Sequence, residues 1–215
     1  MPDAPARLLP CTLVNTDREL LEAWHSGSAA AGEALFERHF DAVMRFFRNK
    51  IDDGPEELVQ RTFLACLEGR TRFRGDCSFR TYLFAVAHNT LKAHFRARRR
   101  RGVEIDFTAE SVWGLAPSPS TLAVRDRSQR VLLDALRRIP VESQVVLELH
   151  YWEGLTAAEI GSVIEVPLGT AKTRIRRARQ LLHAAIEERA RGESLDVSQL
   201  DLDAWAQSVR QVLLR

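Results

Sequence analysis

The chain has 215 residues, of which 45% are hydrophobic and 28% charged, a balance typical of a soluble globular protein with one large or two small domains. Its formal net charge of only +2 excludes a general attraction to nucleic acid, so any such affinity must come from local clusters of cations. No apolar run reaches the roughly 18 residues of a membrane-spanning helix, which argues against membrane insertion. The first residues lack a secretory pattern, and three cysteines without CxxC spacing favour a reduced cytoplasmic protein.

Helical periodicity runs through nearly the whole chain, and strand-like alternation is absent. The sequence therefore predicts an all-α fold of two small helical domains joined by a flexible linker. The linker prediction rests on the "GLAPSPS" stretch and the loss of helical period around it. The predicted boundaries are an N-terminal segment 1–27, a first domain 28–101, the linker 102–128, a second domain 129–186, and a C-terminal extension 187–215 with a short helix from residue 196.

Three helices are predicted in the first domain, over residues 28–50, 56–68 and 79–100. The first should bury a stripe of apolar residues, namely Phe36, Phe40, Val43 and Phe47. "DDGP" predicts a turn before the second helix, and Ser78 is well placed to cap the third.

The last of these helices predicts a cationic face. Asn89, Lys92 and Arg96 recur at steps of three and four residues, and a run of arginines follows them. The preceding loop adds further cations and Phe73. Cations interleaved with aromatic rings are typical of a platform for single-stranded nucleic acid. The alternative is that the aromatic residues pack in the core, which we favour for Phe79, while the arginines are simply solvated.

The segment from Thr156 to Leu182 predicts two short helices joined by a tight turn. Thr156 and Glu159 have the spacing of a capping box, and Pro167 suits the entry to the second helix. On that helix a buried stripe recurs at steps of four, three and four: Ala171, Ile175, Ala178 and Leu182. The opposite face holds Gly169, Thr170, Thr173, Arg176, Arg177 and Gln180, with Lys172, Arg174 and Arg179 on the flanks. Small residues, hydroxyls and arginines on an open face favour a helix that enters a DNA major groove, although a solvated surface helix is the alternative.

Enzymatic interpretations find little support. His88 and His94 are six residues apart, which does not place them together as zinc ligands on a helix. No phosphate-binding glycine loop, dinucleotide fingerprint or nucleophile elbow occurs. We therefore expect no catalytic residues, no metal and no cofactor.

The order of these motifs resembles the sigma-70 family. "ALFERHFDAVMRFF", "PEELVQRTFLACLEG" and "FRGDCSFRTYLFAVAHNTLKAHFRARRRR" are similar to its region 2, and "LLDALRRIPVESQVVLELHYWEGLTAAEIGSVIEVPLGTAKTRIRRARQLL" is similar to its region 4. A linker too short for a region 3 domain resembles the extracytoplasmic-function (ECF) group of alternative sigma factors. The resemblance covers residues 28–101 and 129–186. It implies a subunit that binds core RNA polymerase and directs promoter-specific initiation.

The resemblance implies a role for each surface. Polymerase, through its β′ clamp, would contact Glu57, Leu58, Gln60 and Phe63, and its β flap is a further expected contact. The −10 single strand would contact Arg74, Gly75, Asp76, Cys77, Ser78, Arg80, Asn89, Lys92 and Arg96, where a flipped base is captured in the family. The −35 duplex would contact Gly169, Thr170, Lys172, Thr173, Arg174, Arg176 and Arg177. Promoter DNA and an anti-sigma factor are the other partners that the family allows.

Three positions depart from the family pattern. Glu165 stands where the turn usually has glycine, Arg61 replaces a commonly acidic residue, and Gly54-Pro55 replaces an acidic helix start. A stand-alone helix-turn-helix regulator is the alternative function, and an adaptor protein is a third. The C-terminal extension, with its Trp205 stripe, would cap the fold, dock on region 4 or bind an anti-sigma partner.

Overall fold

The computed structural model describes residues 16–51, 54–70, 73, 75–100 and 127–193, and within these ranges every regular element is an α-helix. A first block contains α1 (Asp17–His25), α2 (Ala29–Arg48), α3 (Pro55–Glu68) and α4 (Phe79–Arg100). A second block contains α5 (Arg127–Arg138), α6 (Val141–Tyr151), α7 (Ala157–Val163) and α8 (Leu168–Glu193). Across the described ranges, no helix is both long and apolar enough to cross a membrane. Most of the predicted linker, and the helix predicted from residue 196, lie outside the described residues.

Local signals in the sequence explain where these helices begin. Thr16 caps α1 in a reciprocal capping box with Glu19, and the Ser28 side chain accepts from the backbone of α2. Pro55 occupies the first position of α3, where its missing N–H costs nothing. The Ser78 hydroxyl accepts from the Thr81 N–H at 3.1 Å, which confirms its predicted role as the cap of α4.

The first block packs around the predicted apolar faces of α2, α3 and α4. Val43, Phe47 and Phe79 are buried, as the spacing predicts. Phe40 is 44% exposed, so its predicted place in the core is wrong. Its ring lies parallel to that of Phe63, with 6.3 Å between centroids, beside an open groove between α2 and α3. The apolar stripe of α2 is therefore wider than the surface that α3 covers.

A separate hydrophobic cluster holds the second block together. It joins α5, α6 and α8 through Leu132, Leu136, Leu147, Trp152, Leu182 and Ile186. These side chains are at most 3% exposed, and a buried leucine or isoleucine of this kind stabilises a fold by roughly 1.5–3 kcal/mol. This cluster supports the second half of α8, from Ala178 onward.

The two blocks also pack directly against each other. Phe47 and Phe84 of the first block belong to the same hydrophobic cluster as Val145, Leu149 and Ile160 of the second. This close contact is a finding that the sequence did not predict, because each block shows its own helical period and nothing local links them.

Candidate nucleic-acid interface

The segment that follows α6 forms the predicted helix-turn-helix. Thr156 and Glu159 make both hydrogen bonds of the capping box, and the Thr156 N–H lowers the pKa of the Glu159 carboxyl. The turn closes when the Val166 N–H donates to the Gly161 carbonyl at 2.9 Å. A Cβ atom on Gly161 would lie 2.9 Å from the Val166 carbonyl oxygen, so the turn needs a residue without a side chain there.

Glu165 follows Ile164, the C-cap residue of α7, and has a φ of 58°, in the left-handed region. Helices often end on glycine at this position, because an L side chain is strained there. The expectation that this departure from the family pattern costs backbone strain is therefore consistent with the structure.

Replacing Glu165 with glycine is expected to stabilise the protein by about 1 kcal/mol, because the left-handed conformation costs an L residue roughly that much. For a chain of this size the melting temperature should rise by about 2–4 °C. Thermal unfolding followed by circular dichroism measures the change. Glu165→Gln is the control and should melt like the unaltered chain; a loss of stability in Glu165→Gly would show that the turn carries no such strain.

The predicted DNA-facing side of α8 points away from the core. The predicted inner residues Ala171, Ile175, Ala178 and Leu182 are all buried, at 0–8% exposure. The residues predicted to face DNA are exposed, namely Gly169, Thr170, Lys172, Thr173, Arg176 and Arg177, and so is Gln180. Arg174 is the exception in this set: it is half-buried, and its guanidinium donates to Glu142 on α6. The open face is therefore cationic, with a hydroxyl and a glycine near its start.

The predicted single-strand face lies mainly on α4. Asn89 and Arg96 are exposed there, Lys92 is half-buried between them, and Gly75, Asp76 and Ser78 are exposed in the preceding loop. Arg80 is half-buried and donates to Glu153 of the second block. Arg74 lies outside the described residues. Helix α4 thus brings Asn89, Lys92 and Arg96 together, whereas the Arg80 guanidinium is bound to Glu153 of the second block.

A cavity of about 820 Å³ lies between α1 and the loop that leads into α4. Its walls include Gly75, Cys77 and Ser78 from the loop and Asp17 and His25 from α1. Burial and the charges of Asp76 and Glu159 raise the pKa of the Cys77 thiol, so that side chain lines the wall in its neutral form.

Helix α1 is a part of this site that the sequence reasoning missed. The signal was present, because Thr16 and Glu19 have the same capping-box spacing as Thr156 and Glu159. The ring of His25 on this helix lies nearly parallel to Phe73, with 6.1 Å between ring centroids. The Phe73 ring in turn lies against the Tyr82 ring, with 4.7 Å between ring centroids. A row of aromatic rings therefore links α1 to α4 beside the cavity.

The predicted polymerase contact lies on α3. Glu57 and Gln60 are exposed and Phe63 is half-buried, but Leu58 is only 2% exposed. Leu58 therefore packs in the core and supports the helix instead of presenting a contact, which corrects its predicted place on this surface. Arg61 donates to Glu57 at 2.6 Å, so the charge that departs from the family pattern has a partner on its own helix.

Exposed apolar side chains extend this α3 surface. Phe40, Leu64 and Leu67 are 44%, 51% and 49% exposed, and they border a groove of about 430 Å³ between α2 and α3. Sequence reasoning placed Phe40 in the core and did not single out the two leucines. Large apolar residues that remain in water along one groove are typical of a protein interaction site.

The described residues contain no cluster of three or more histidine, cysteine or acidic side chains that could hold a metal ion. His88, one of the two histidines considered as ligands, is buried on α4. Burial and the nearby charge of Lys92 lower its pKa to about 4. Cys66 is also buried, and burial raises the pKa of its thiol to about 12, so it is an inert core residue.

The predicted single-strand face on α4 and the predicted duplex face on α8 both lie in regions that match known protein families. Sequence models of Sigma-70 region 2 and Sigma-70 region 4 match residues 35–101 and 129–182. The chain is 28% identical over 181 residues to the RNA polymerase sigma-H factor of Pseudomonas aeruginosa, covering 80% of this chain and 94% of that protein. It is 27% identical over 182 residues to the ECF RNA polymerase sigma-E factor of Haemophilus influenzae, covering 80% and 96%.

Two solved structures are also similar to most of this chain. CnrH in complex with the cytosolic domain of CnrY matches with a TM-score of 0.53 and 26% identity, over 80% of this chain and 97% of that one. The sigma factor RpoE in complex with the anti-sigma factor NepR from Bartonella quintana matches with a TM-score of 0.56 over 72% and 96%. Its identity of 20% shows a shared fold.

Proposed function

The chain belongs to the sigma-70 family, in its extracytoplasmic-function group, and we propose that its two helical blocks divide promoter recognition between them. It is an alternative sigma factor that directs transcription initiation. It binds core RNA polymerase and promoter DNA, and it is not an enzyme, since polymerase supplies the chemistry. The division of labour between the blocks is the part that we propose here.

One observation supports the role of the second block most directly. The arginines and hydroxyls of the α8 face are exposed, while the opposite stripe is buried. We propose that this face reads the −35 duplex, with Arg176 and Arg177 toward base edges and Lys172 toward phosphates. Arg174 would join them once it leaves Glu142.

The first block would open and read the −10 element. Asn89, Lys92 and Arg96 provide an amide and two cations along one helix face, with Lys92 half-buried between the exposed Asn89 and Arg96, and this suits an unpaired strand. The cavity of about 820 Å³ at the loop before α4 has room for one base turned out of the stack. The loop residues Gly75, Cys77 and Ser78 form one wall, and α1 forms the other.

The surface of α3 is proposed as the contact with the β′ clamp of polymerase. Glu57 and Gln60 would supply its polar contacts, and Phe63 lies at its edge. The exposed Phe40 and Leu64 supply the apolar area that a stable contact needs. The β flap would contact the second block.

Regulation and location follow from the same family membership. RpoE of Bartonella quintana was solved with an anti-sigma factor, and we propose a partner of that kind for this chain as well. We place the protein in the cytoplasm, because the polymerase and promoter that it serves are there.

Transcription in vitro tests the proposal as a whole. The purified chain is added to sigma-free core polymerase and a library of host upstream fragments. Discrete start sites that depend on the chain are the expected result, and their upstream sequences would reveal both promoter elements. If the chain binds duplex fragments but never directs initiation or co-elutes with core polymerase, a stand-alone helix-turn-helix regulator is the better description.

A further inference from the structure

A polar cleft of about 240 Å³ lies between the start of α6 and one flank of α8. Arg174 and Arg177 of α8 line it, together with Glu142 and Ser143 of α6. The Arg174 guanidinium donates to the Glu142 carboxylate. Their side chains are 36% and 23% exposed, so this ion pair is partly open to water. We call this group the arginine cleft (Glu142, Ser143, Arg174 and Arg177).

The arginine cleft borders the proposed duplex face of α8. Arg177 is exposed on that face and also lines the cleft, so the two surfaces are continuous. When a helix lies in a major groove, the cations on its flanks are the ones that meet backbone phosphates. A phosphate of the bound duplex is therefore the anion that we expect next to Arg174.

A carboxylate already occupies the place that such a phosphate would take. Carboxylate and phosphate oxygens both accept paired hydrogen bonds from a guanidinium, so Glu142 and a phosphate can bind Arg174 in the same way. A partly exposed ion pair contributes little to stability, which means that a phosphate can displace the Glu142 carboxylate at low cost. While the pair is closed, however, Glu142 neutralises one cation beside the duplex face.

A second arginine shows that α6 can hold a guanidinium of α8 without a carboxylate. The Arg179 Nε–H donates to the Tyr151 hydroxyl at 2.5 Å, and the guanidinium lies over the Tyr151 ring at 5.2 Å from its centroid. A neutral partner therefore suffices to join the two helices, and the negative charge of Glu142 needs its own explanation. The alternative is that this charge stabilises the first turn of α6 through the helix dipole.

We propose that the arginine cleft is a binding site for one phosphate of the DNA backbone, and that the Glu142 carboxylate occupies this site in the free chain. The inference deepens the proposed role of α8 and rests on it. Phosphates are the same in every sequence, so an unmasked Arg174 would raise the affinity for all DNA. Glu142 limits that general affinity, and Arg174 contributes where a duplex brings a phosphate into the cleft.

The test neutralises one phosphate at a time. Duplexes with a single methylphosphonate linkage, in which a methyl group replaces one charged phosphate oxygen, are bound by the full-length chain assembled with core polymerase. At one position beside the −35 element, the neutral linkage should weaken binding of the unaltered chain about three- to tenfold. The same linkage should leave Arg174→Ala unaffected, because that variant has already lost the contact. Fluorescence anisotropy at fixed salt measures each affinity.

Glu142→Gln tests the masking of Arg174, because it removes the charge but keeps the size and an oxygen acceptor. It is expected to bind every ordinary duplex about three- to tenfold more tightly, with a slope of log affinity against log salt that is steeper by about 0.9. This gain should be absent on the duplex whose neutral linkage couples to Arg174. Glu187→Gln is the matched control, since Glu187 is exposed on the same helix. It lies roughly 20 Å farther along at about 1.5 Å per residue, which is beyond the Debye length of about 10 Å at 0.1 M salt, and its loss should not change binding.

Other outcomes would overturn the proposal. A gain from Glu142→Gln that persists on every neutral-linkage duplex would reflect general repulsion of DNA, and a lower melting temperature with unchanged affinity would mean that Glu142 only stabilises α6. If Glu142→Gln does not fold, the linkage scan with Arg174→Ala still decides, because a preferred duplex without any coupled phosphate contradicts the site alone. No preference of the unaltered chain for its −35 duplex would instead contradict the proposed role of α8, and this inference with it.

Discussion

Replacing Arg176 with alanine is expected to weaken binding to a −35 duplex by about 1–3 kcal/mol, which is roughly five- to 150-fold in affinity. Arg176 is exposed on the open face of α8, on the side of the helix opposite the buried Ala178. A guanidinium in that place can donate to a guanine edge, and alanine cannot. Fluorescence anisotropy with labelled duplexes at fixed salt measures the loss.

The loss of affinity caused by Arg176→Ala, compared among duplexes of different sequence, shows which part of the DNA Arg176 contacts. A base contact weakens only the matching sequence, whereas a phosphate contact weakens every duplex evenly and reduces the salt dependence. Arg18→Ala is the control, because it removes the same charge from α1, where that side chain is 87% exposed and far from α8 in the chain. Unchanged binding by Arg176→Ala, with the control also unchanged, would show that α8 is not the recognition helix.

Helix α8 could be predicted from the sequence because its signals are local. Ala171, Ile175 and Ala178 recur with the helical period, and all three are buried. The capping box at Thr156 marks the start of the motif, and Pro167 marks the start of α8. Each of these signals depends only on residues within a few positions of one another.

Other parts of the site depend on contacts between distant residues. Lys50 and Glu148 are 98 residues apart, and neither position differs in pattern from an ordinary surface charge on a helix. Only the contact between the residues that follow α2 and helix α6 buries the pair. The exposure of Phe40 likewise depends on how much of α2 the neighbouring α3 covers, which periodicity does not report. Helix α1 is a different case, because its capping box was present in the sequence and was overlooked.

Replacing Asn89 with alanine is expected to impair promoter opening while leaving the initial closed promoter complex within about twofold of normal. The exposed Asn89 amide is proposed to hold a base of the unpaired strand, and such a hydrogen bond forms only after the duplex melts. Its loss should cost about 1–3 kcal/mol, or roughly five- to 150-fold in the open fraction. Permanganate footprinting measures opening, and a gel-shift assay at low temperature measures the closed complex.

A template whose −10 element is already unpaired distinguishes two roles of Asn89, namely melting the duplex and reading a base of the unpaired strand. If Asn89 mainly helps to melt the duplex, the bubble should restore initiation by Asn89→Ala almost completely, because the energy of strand separation has been supplied in advance. If the defect persists on the bubble and depends on the base placed there, Asn89 reads a base after melting. Loss of the closed complex itself would contradict both roles, since it would place Asn89 in a contact made before the strands part. The choice matters for the whole first block, because Lys92 and Arg96 share the same helix face and would take part in the same step.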